Sequence, residues 1–228
     1  MSKLNPKFEY STLNRQSVQG KRLYSLPDGS KVPSVTTILS QTMPPENRQM
    51  LADWKNKVGE EQAQLISTQS SSRGTRMHAY LETYIKTGEV KDQVSNPYAQ
   101  EGLVMAKTVI EATDSKISEF WGSEVSLYYP GLYAGTADSL GVHEGNSAVF
   151  DFKQSNKPKK REWIGDYFLQ LASYIMAHDE VYGTKIERGV ILMCTPTLIF
   201  QEFVVEGDEL EEYKIKWCSR VEQYFNIG

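Results

Sequence analysis

Apolar residues recur at helical spacing through the first half of the chain, and short alternating runs join them in the second. From Pro45 onward Met50, Leu51, Trp54 and Val58 form one stripe, which Gly59 is expected to end. Ser71 or Ser72 caps a next helix that buries Met77, Leu81, Tyr84 and Ile85 and stops at Gly88. Asn96-Pro97 opens another, with Asn as cap and Pro at the first helical position, and a short helix over 115–121 follows. Further on, Ile164, Phe168, Leu171 and Ile175 repeat at helical spacing beside a polar-aromatic stripe of Trp163, Tyr167, Gln170 and Tyr174. Asp208 with Glu211 makes a capping box for a last helix that closes on Tyr224 and Phe225.

Strands are read from turn chemistry and alternation. Residues 22–26 and 31–32 flank Pro27-Asp28-Gly29-Ser30, a strong hairpin signal, whereas residues 1–20 show no period and read as a loosely ordered arm. Residues 124–129 alternate, and Pro130-Gly131 turns them into a strand pair, 133–153, hinged at His143-Glu144-Gly145-Asn146. Two more strands, 186–195 and 198–205, surround Thr195-Pro196-Thr197. Helices, a three-strand meander, a helix, two strands and a helix predict an α/β (α+β) domain with a central mixed sheet.

At 228 residues, with 39% hydrophobic and 24% charged positions, the chain has the composition of one ordinary soluble domain. A net charge of −4 argues against a protein that coats nucleic acid, but not against an enzyme acting on it. Cys194 and Cys218 are two, too few for a four-cysteine zinc or iron–sulfur site, and both are expected to be small buried hydrophobes. The start lacks a secretory or organelle signal, so the cell interior is expected.

Chemistry gathers at the 133–153 hairpin. Folding it about the Glu144–Gly145 bond sets Asp138 opposite Asp151, with Cβ atoms about 4.5–5.5 Å apart. Two carboxylates that close repel unless a cation lies between them. Lys153 shares the Asp151 face, while Phe150 and Phe152 point to the other. Acid-x-Lys text alone means little, because Asp53-Trp54-Lys55, Glu89-Val90-Lys91, Asp114-Ser115-Lys116 and Glu212-Tyr213-Lys214 carry it too. Only Asp151-Phe152-Lys153 lies on a strand with an acid across a hairpin. Glu124 falls on the strand beside Asp138, as a solvent-facing residue or as a group near the metal. His78 and Glu82 meet one helical turn apart, and by themselves read first as structural residues. Lys157, Lys159, Lys160 and Arg161 continue from Lys153 as a solvated basic loop or a phosphate-facing one. Zinc held by His78, His143 and His178 is disfavoured, since a hairpin tip and a late helical position do not converge.

Four ordered motifs carry a family resemblance: Gly74 to Glu82, Gly135-Thr136-Ala137-Asp138, Asp151-Phe152-Lys153 and Gln170 to Tyr174. They resemble the PD-(D/E)xK nuclease superfamily in its RecB-type exonuclease branch. With Pro33 to Leu39 and the helix holding Trp54-Lys55, the chain is similar to the mitochondrial genome maintenance exonuclease and related phage exonucleases. The resemblance implies Mg²⁺ or Mn²⁺ held by His78, Asp138, Asp151 and the backbone carbonyl of Phe152, with Lys153 as the catalytic cation. Glu124 and Glu82 are additional metal or structural acids. Gln170 and Tyr174 would shape the cleft, and Arg73, Arg76, Lys157, Lys159 and Lys160 would contact DNA. It further implies a single nuclease domain over 1–228, with residues 22–120 forming a hairpin and helical DNA passage and 121–228 the catalytic core. The expected activity is a DNA exonuclease preferring single-stranded ends, without an iron–sulfur cluster, in the cytoplasm of a bacterial or phage-infected cell. A duplex-end-resecting recombination exonuclease and a non-catalytic single-strand-binding module are the alternatives.

Overall fold

The computed structural model describes residues 3–18 and 20–227, which form two sheets and the helices that cover them. The smaller sheet is antiparallel and consists of β1 (Asn14–Val18), β2 (Lys21–Ser25) and β3 (Lys31–Pro33). The larger one lies at the centre. Its strands are β4 (Ile117–Tyr129), β5 (Tyr133–His143), β6 (Asn146–Gln154), β7 (Arg188–Cys194) and β8 (Phe200–Glu206), in that spatial order. The β5–β6 hairpin turns at Glu144 (φ 48°) and Gly145 (φ 87°), two consecutive left-handed residues, which matches the twist of the flanking strands. His143 therefore pairs with Asn146 and Ser139 with Phe150, the register expected from the turn.

Helices cover both faces of the central sheet. On one, α3 (Glu60–Thr87) and α4 (Pro97–Thr113) set Met77, Leu81, Ile85, Met105 and Val109 against Phe120, Phe150 and Phe152. On the other, α1 (Val35–Gln41), α5 (Gly165–Tyr182) and α6 (Gly207–Ile227) set Ile38, Phe168, Leu171, Ile175 and Trp217 against Leu140, Val149 and Ile191. Strand alternation thus sends Phe150 and Phe152 to the α3 face and leaves Asp151 and Lys153 to α5. β6 and β7 are parallel, with α5 as the crossover between them. A strand in that position is covered on both faces, and β7 is buried along its whole length. The small sheet packs Tyr24, Leu26 and Val32 against Ala134 of β5. Helix α2 (Pro45–Val58) precedes α3, separated from it by Gly59 at φ 85°.

Several expectations are corrected. Much of the expected arm is held: Asn5 N donates to Phe120 O at 2.7 Å, and the Phe8 ring meets Trp121 and His178 at 5.7 and 4.9 Å. Aromatic anchors spaced without a period do this, and periodicity cannot show them. Helix α3 does not restart at Ser71 or Ser72 but runs unbroken, and Ser70 Oγ instead donates to Gln154 and Asn156 at the end of β6. Residues 117–121 are strand, not helix, because Phe120 and Trp121 bury on opposite faces of the sheet. The α2 stripe is not buried, Met50 being 68% exposed. Cys218 is exposed, while Cys194 is buried. Asp208 lies inside the first turn of α6, which begins at Gly207, and not at its cap.

Candidate metal centre and nucleic-acid cleft

Asp138 sits where the sheet ladders on both of its sides are interrupted. Towards β6 the paired residues stop at Ser139 and Phe150, so Asp138 and Asp151 occupy the next rung, where the strands part. Towards β4, Ser123 pairs with Ser139 and Val125 with Ala137, which leaves Glu124 facing Asp138 outside the ladder. Glu124 has φ 52°, a left-handed conformation rare for a residue with a side chain. The gap frees both backbone groups of Phe152. Its N–H donates to Asp138 Oδ2 at 2.7 Å, and its carbonyl lies 2.8 Å from His78 Nε2.

His78 reaches this gap from α3, which Met77, Leu81 and Ile85 pin to the sheet. Its Nδ1 is 3.5 Å from Asp138 Oδ1, so both imidazole nitrogens face the site. Ligand atoms of His78, Glu124 and Asp138 all lie within 4.8 Å of one another. Glu82 stands apart, ion-paired with Lys86.

On the α5 side, Lys153 Nζ donates to Asp151 Oδ1 at 2.7 Å and to Gln170 Oε1 at 3.2 Å, and lies 4.8 Å from the centre of the Tyr167 ring. Gln170 Nε2 in turn donates to the Tyr174 hydroxyl at 3.2 Å. The polar-aromatic stripe of α5 is therefore a relay that holds the lysine, with Trp163 alone left outside and exposed. Asp151 Oδ2 is 2.6 Å from the ammonium, yet it accepts no hydrogen bond and is shut off from solvent.

The charges respond to this crowding. Burial alone would raise the Asp138 carboxyl, but the hydrogen bond and charge of His78, together with Lys153 and the Phe152 N–H, hold it below the usual range. At Asp151 burial outweighs Lys153, and the Asp138 charge adds to it, so this carboxyl is pushed up. Burial, Asp138 and Glu82 raise Glu124 as well. Lys153 is pulled down by burial but pushed up further by Asp151 and Asp138. Close, buried carboxylates split in this way when one is better supplied with hydrogen bonds and positive charge than the other.

These residues fit a hard divalent cation. The donor set is rich in oxygen, with the Asp138 and Glu124 carboxylates within 4.8 Å of the His78 imidazole. His78 Nε2 and Phe152 O are 2.8 Å apart, hydrogen-bonded to each other, a contact that a bound cation would replace.

The acids open into a cleft of about 400 Å³ lined by His78, Glu124, Asp138, Gln170 and Tyr174, by Thr75 of α3, and by Arg15, Arg22, Tyr24 and Thr36. The other cations expected to meet DNA are only partly free. Arg73 is ion-paired with Glu101 at 3.0 Å and donates to Asn156, and Arg76 lies over the Tyr98 ring. Lys160 covers Trp163, Lys159 is tied to Gln201 through its backbone, and Lys157 is exposed. Sequence reasoning missed Arg15 and Arg22, and named Tyr167 only as part of the polar-aromatic stripe. Arg15 lies in the segment without a period and Arg22 at the start of the expected hairpin, and only the docking of β1–β3 on β5 brings them here. His143 and His178 lie elsewhere, the one near Arg188 and Glu202, the other among Phe8, Tyr10 and Tyr182.

No protein-family model matches the chain. It is 28% identical over 207 residues to mitochondrial genome maintenance exonuclease 1 of Mus musculus, covering 86% of this chain and 59% of that protein. The Homo sapiens protein of the same name is 25% identical over 207 residues, covering 85% and 58%. The chain thus spans less than two thirds of the length of these relatives. Among solved structures, LHK-Exo in complex with dAMP, an alkaline exonuclease from Laribacter hongkongensis, has a TM-score of 0.36 at 16% identity, over 68% of this chain and 84% of that one. That likeness is too loose to argue from. Homologues named as exonucleases, a mixed sheet flanked by helices and an acid–lysine hairpin are consistent with the PD-(D/E)xK exonuclease resemblance.

Proposed function

We propose that this protein is a divalent-metal-dependent exonuclease that hydrolyses phosphodiester bonds at single-stranded DNA ends. The observation that carries the reading is the gap around Asp138, into which His78, Glu124 and the Phe152 carbonyl converge while Lys153 stands on Asp151. His78, Asp138, Asp151 and the Phe152 carbonyl would hold Mg²⁺ or Mn²⁺, with Glu124 as a further acid at the rim. When bound, such an ion neutralises charge on the scissile phosphate and makes water more acidic. Lys153 brings a fixed positive charge to the same place, where it can orient water and stabilise negative charge developing on phosphoryl oxygens. Gln170 accepts a further hydrogen bond from that ammonium, and the Tyr174 hydroxyl accepts one from Gln170.

Two exposed aromatic rings backed by cations support a single-stranded substrate. Trp163 is 61% exposed with Lys160 over it, and Tyr98 is 68% exposed with Arg76 over it. Unpaired bases stack on such rings regardless of sequence. The test is digestion of single strands labelled at either end, with and without Mg²⁺, against a circular strand and a blunt duplex. Metal-dependent shortening of linear single strands, lost in Lys153→Met and Asp151→Asn, is the expected result. Cleavage of the circle, or full activity in both variants, refutes the proposal.

A further inference from the structure

Register in the small sheet puts two arginines on one face. Arg15 pairs with Tyr24 and Ser17 with Arg22, and residues directly opposed or two apart share a face. That face is the one that docks on the main sheet, since Tyr24 is buried there and its hydroxyl lies 3.3 Å from Thr136 Oγ1, two residues before Asp138. Gln16 and Lys31 bond to each other on the opposite face. Arg15 and Arg22 are thus carried to the wall of the cleft that confronts His78, Glu124 and Asp138.

The backbone of Arg22 is fixed. Its N–H donates to Thr37 Oγ1 at 3.2 Å, and its carbonyl accepts from Ser34 N at 2.8 Å. Its side chain stands between the cleft and a second hollow of about 250 Å³, lined by Ser17, Thr36, Thr37, Ser40 and Gln41. Most other arginines are occupied: Arg73 by Glu101, Arg161 by Glu209, Arg188 by Glu206 and Arg220 by Asp166. Among the described residues the guanidinium groups of Arg15 and Arg22 have no hydrogen bond or ion pair. They do not neutralise the acids of the site, which Lys153 and His78 already engage. Two unengaged guanidinium groups beside a hydroxyl-lined track suit an anion with bidentate oxygens that passes through the cleft.

We propose that Arg15 and Arg22 grip the backbone phosphates of the single strand on either side of the bond being cut, so that the β1–β3 sheet positions the substrate against the acid cluster. This rests on the nuclease reading above. Both arginines are positioning residues, and removing them weakens binding without touching the chemistry.

The experiment measures binding of a fluorescently labelled oligothymidylate to the full chain in Ca²⁺ across a salt series, and digestion of the same strand in Mg²⁺. Arg15→Gln, Arg22→Gln, the double variant, Arg22→Lys and the surface control Lys216→Gln are compared. Removing one cation that neutralises a phosphate of a single strand makes the slope of log K against log salt shallower by about 0.7, so the double variant should differ from wild type by about 1.4. KM should rise at least about tenfold per arginine, the cost of a charged hydrogen bond, with kcat held within about twofold. Arg22→Lys should keep the wild-type slope, and Lys216→Gln should change nothing. If the double variant does not fold, the single variants carry the test at about 0.7 each. An unchanged salt slope and KM in variants that still cut with the wild-type kcat overturns the inference and leaves the nuclease reading standing. A wild-type chain that neither binds nor cuts the strand overturns both.

Discussion

Gly135 offers a sharp test of how packing reaches the chemistry. It lies on β5 opposite Leu127, and a Cβ added there would stand 2.7 Å from Tyr174 Cε1 and 3.0 Å from the hydroxyl oxygen. Carbon atoms rest at about 3.5–4.0 Å, so in Gly135→Ala the ring must retreat by nearly 1 Å. Tyr174 is only 3% exposed, although it borders the cleft, which makes the change an overpacking one costing up to about 1–3 kcal/mol. The displacement also pulls at Gln170, whose bonds to Tyr174 and Lys153 are each already 3.2 Å long and break with a further ångström. Misplacing a reacting group by about that much costs about 10²-fold in rate. Urea unfolding followed by tryptophan fluorescence reads the first effect, and kcat for the end-labelled single strand reads the second. Tyr174→Phe should not rescue Gly135→Ala, because the closest approach is to the ring; Tyr174→Leu should restore stability but not rate. A Gly135→Ala protein that loses stability yet keeps kcat would show that the relay to Lys153 does not operate.

Other outcomes follow from the same structure. Burial holds His178 at about 4, against an ordinary value near 6.5, with Tyr10 and Thr184 on its two nitrogens. Between those values the unfolded chain binds a proton that the folded chain refuses, so stability is full above about 6.5 and falls by up to about 3 kcal/mol as pH drops to about 4. Melting temperatures against pH should show that slope, and His178→Phe should flatten it; an unchanged slope refutes the assignment. Asn96→Ala removes a cap that accepts from Tyr98 N at 2.9 Å and Ala99 N at 3.3 Å, and denaturant titration should find stability reduced by about 1 kcal/mol. Gly102→Ala sets a Cβ 2.7 Å from Arg76 Cβ, prising α4 from α3; a loss of about 1–3 kcal/mol is expected, and none would mean that the helices slide freely. EDTA should abolish cleavage by the wild-type chain, and added Mg²⁺ should restore it.

The hairpin at the centre of the site was legible in residue order because a two-residue turn dictates register, and register dictates which acid faces which. Its interruption was not. Whether a ladder continues past Ser139 depends on what replaces the missing backbone bonds, and here the replacements are a carboxylate and an imidazole from outside the hairpin's own ladder. The left-handed Glu124 belongs to the same local event and leaves no mark in composition. Stripe reasoning succeeded for α5, where both faces meet protein, and failed for α2, whose apolar side is nowhere fully buried. Helix starts read from Ser71 and Ser72 failed because both lie inside one continuous helix that begins after Gly59. Arg15 and Arg22 were invisible for a simpler reason: their importance is a property of where a separate sheet docks.

The open rung at Phe152 has a consequence for anyone mapping this protein by mutation. Its side chain is 4% exposed and packs in the α3-side core, so substitutions there report on packing. The groups that face Asp138 and His78 are its amide and carbonyl, which every substitution except proline preserves. Leucine at this position would look benign and alanine merely unstable, and a scan would file residue 152 with the core. One participant in the proposed site is therefore written in backbone alone. Its N–H can be removed, and its carbonyl kept, by exchanging the preceding amide for an ester, and the genetic code has no ordinary word for that.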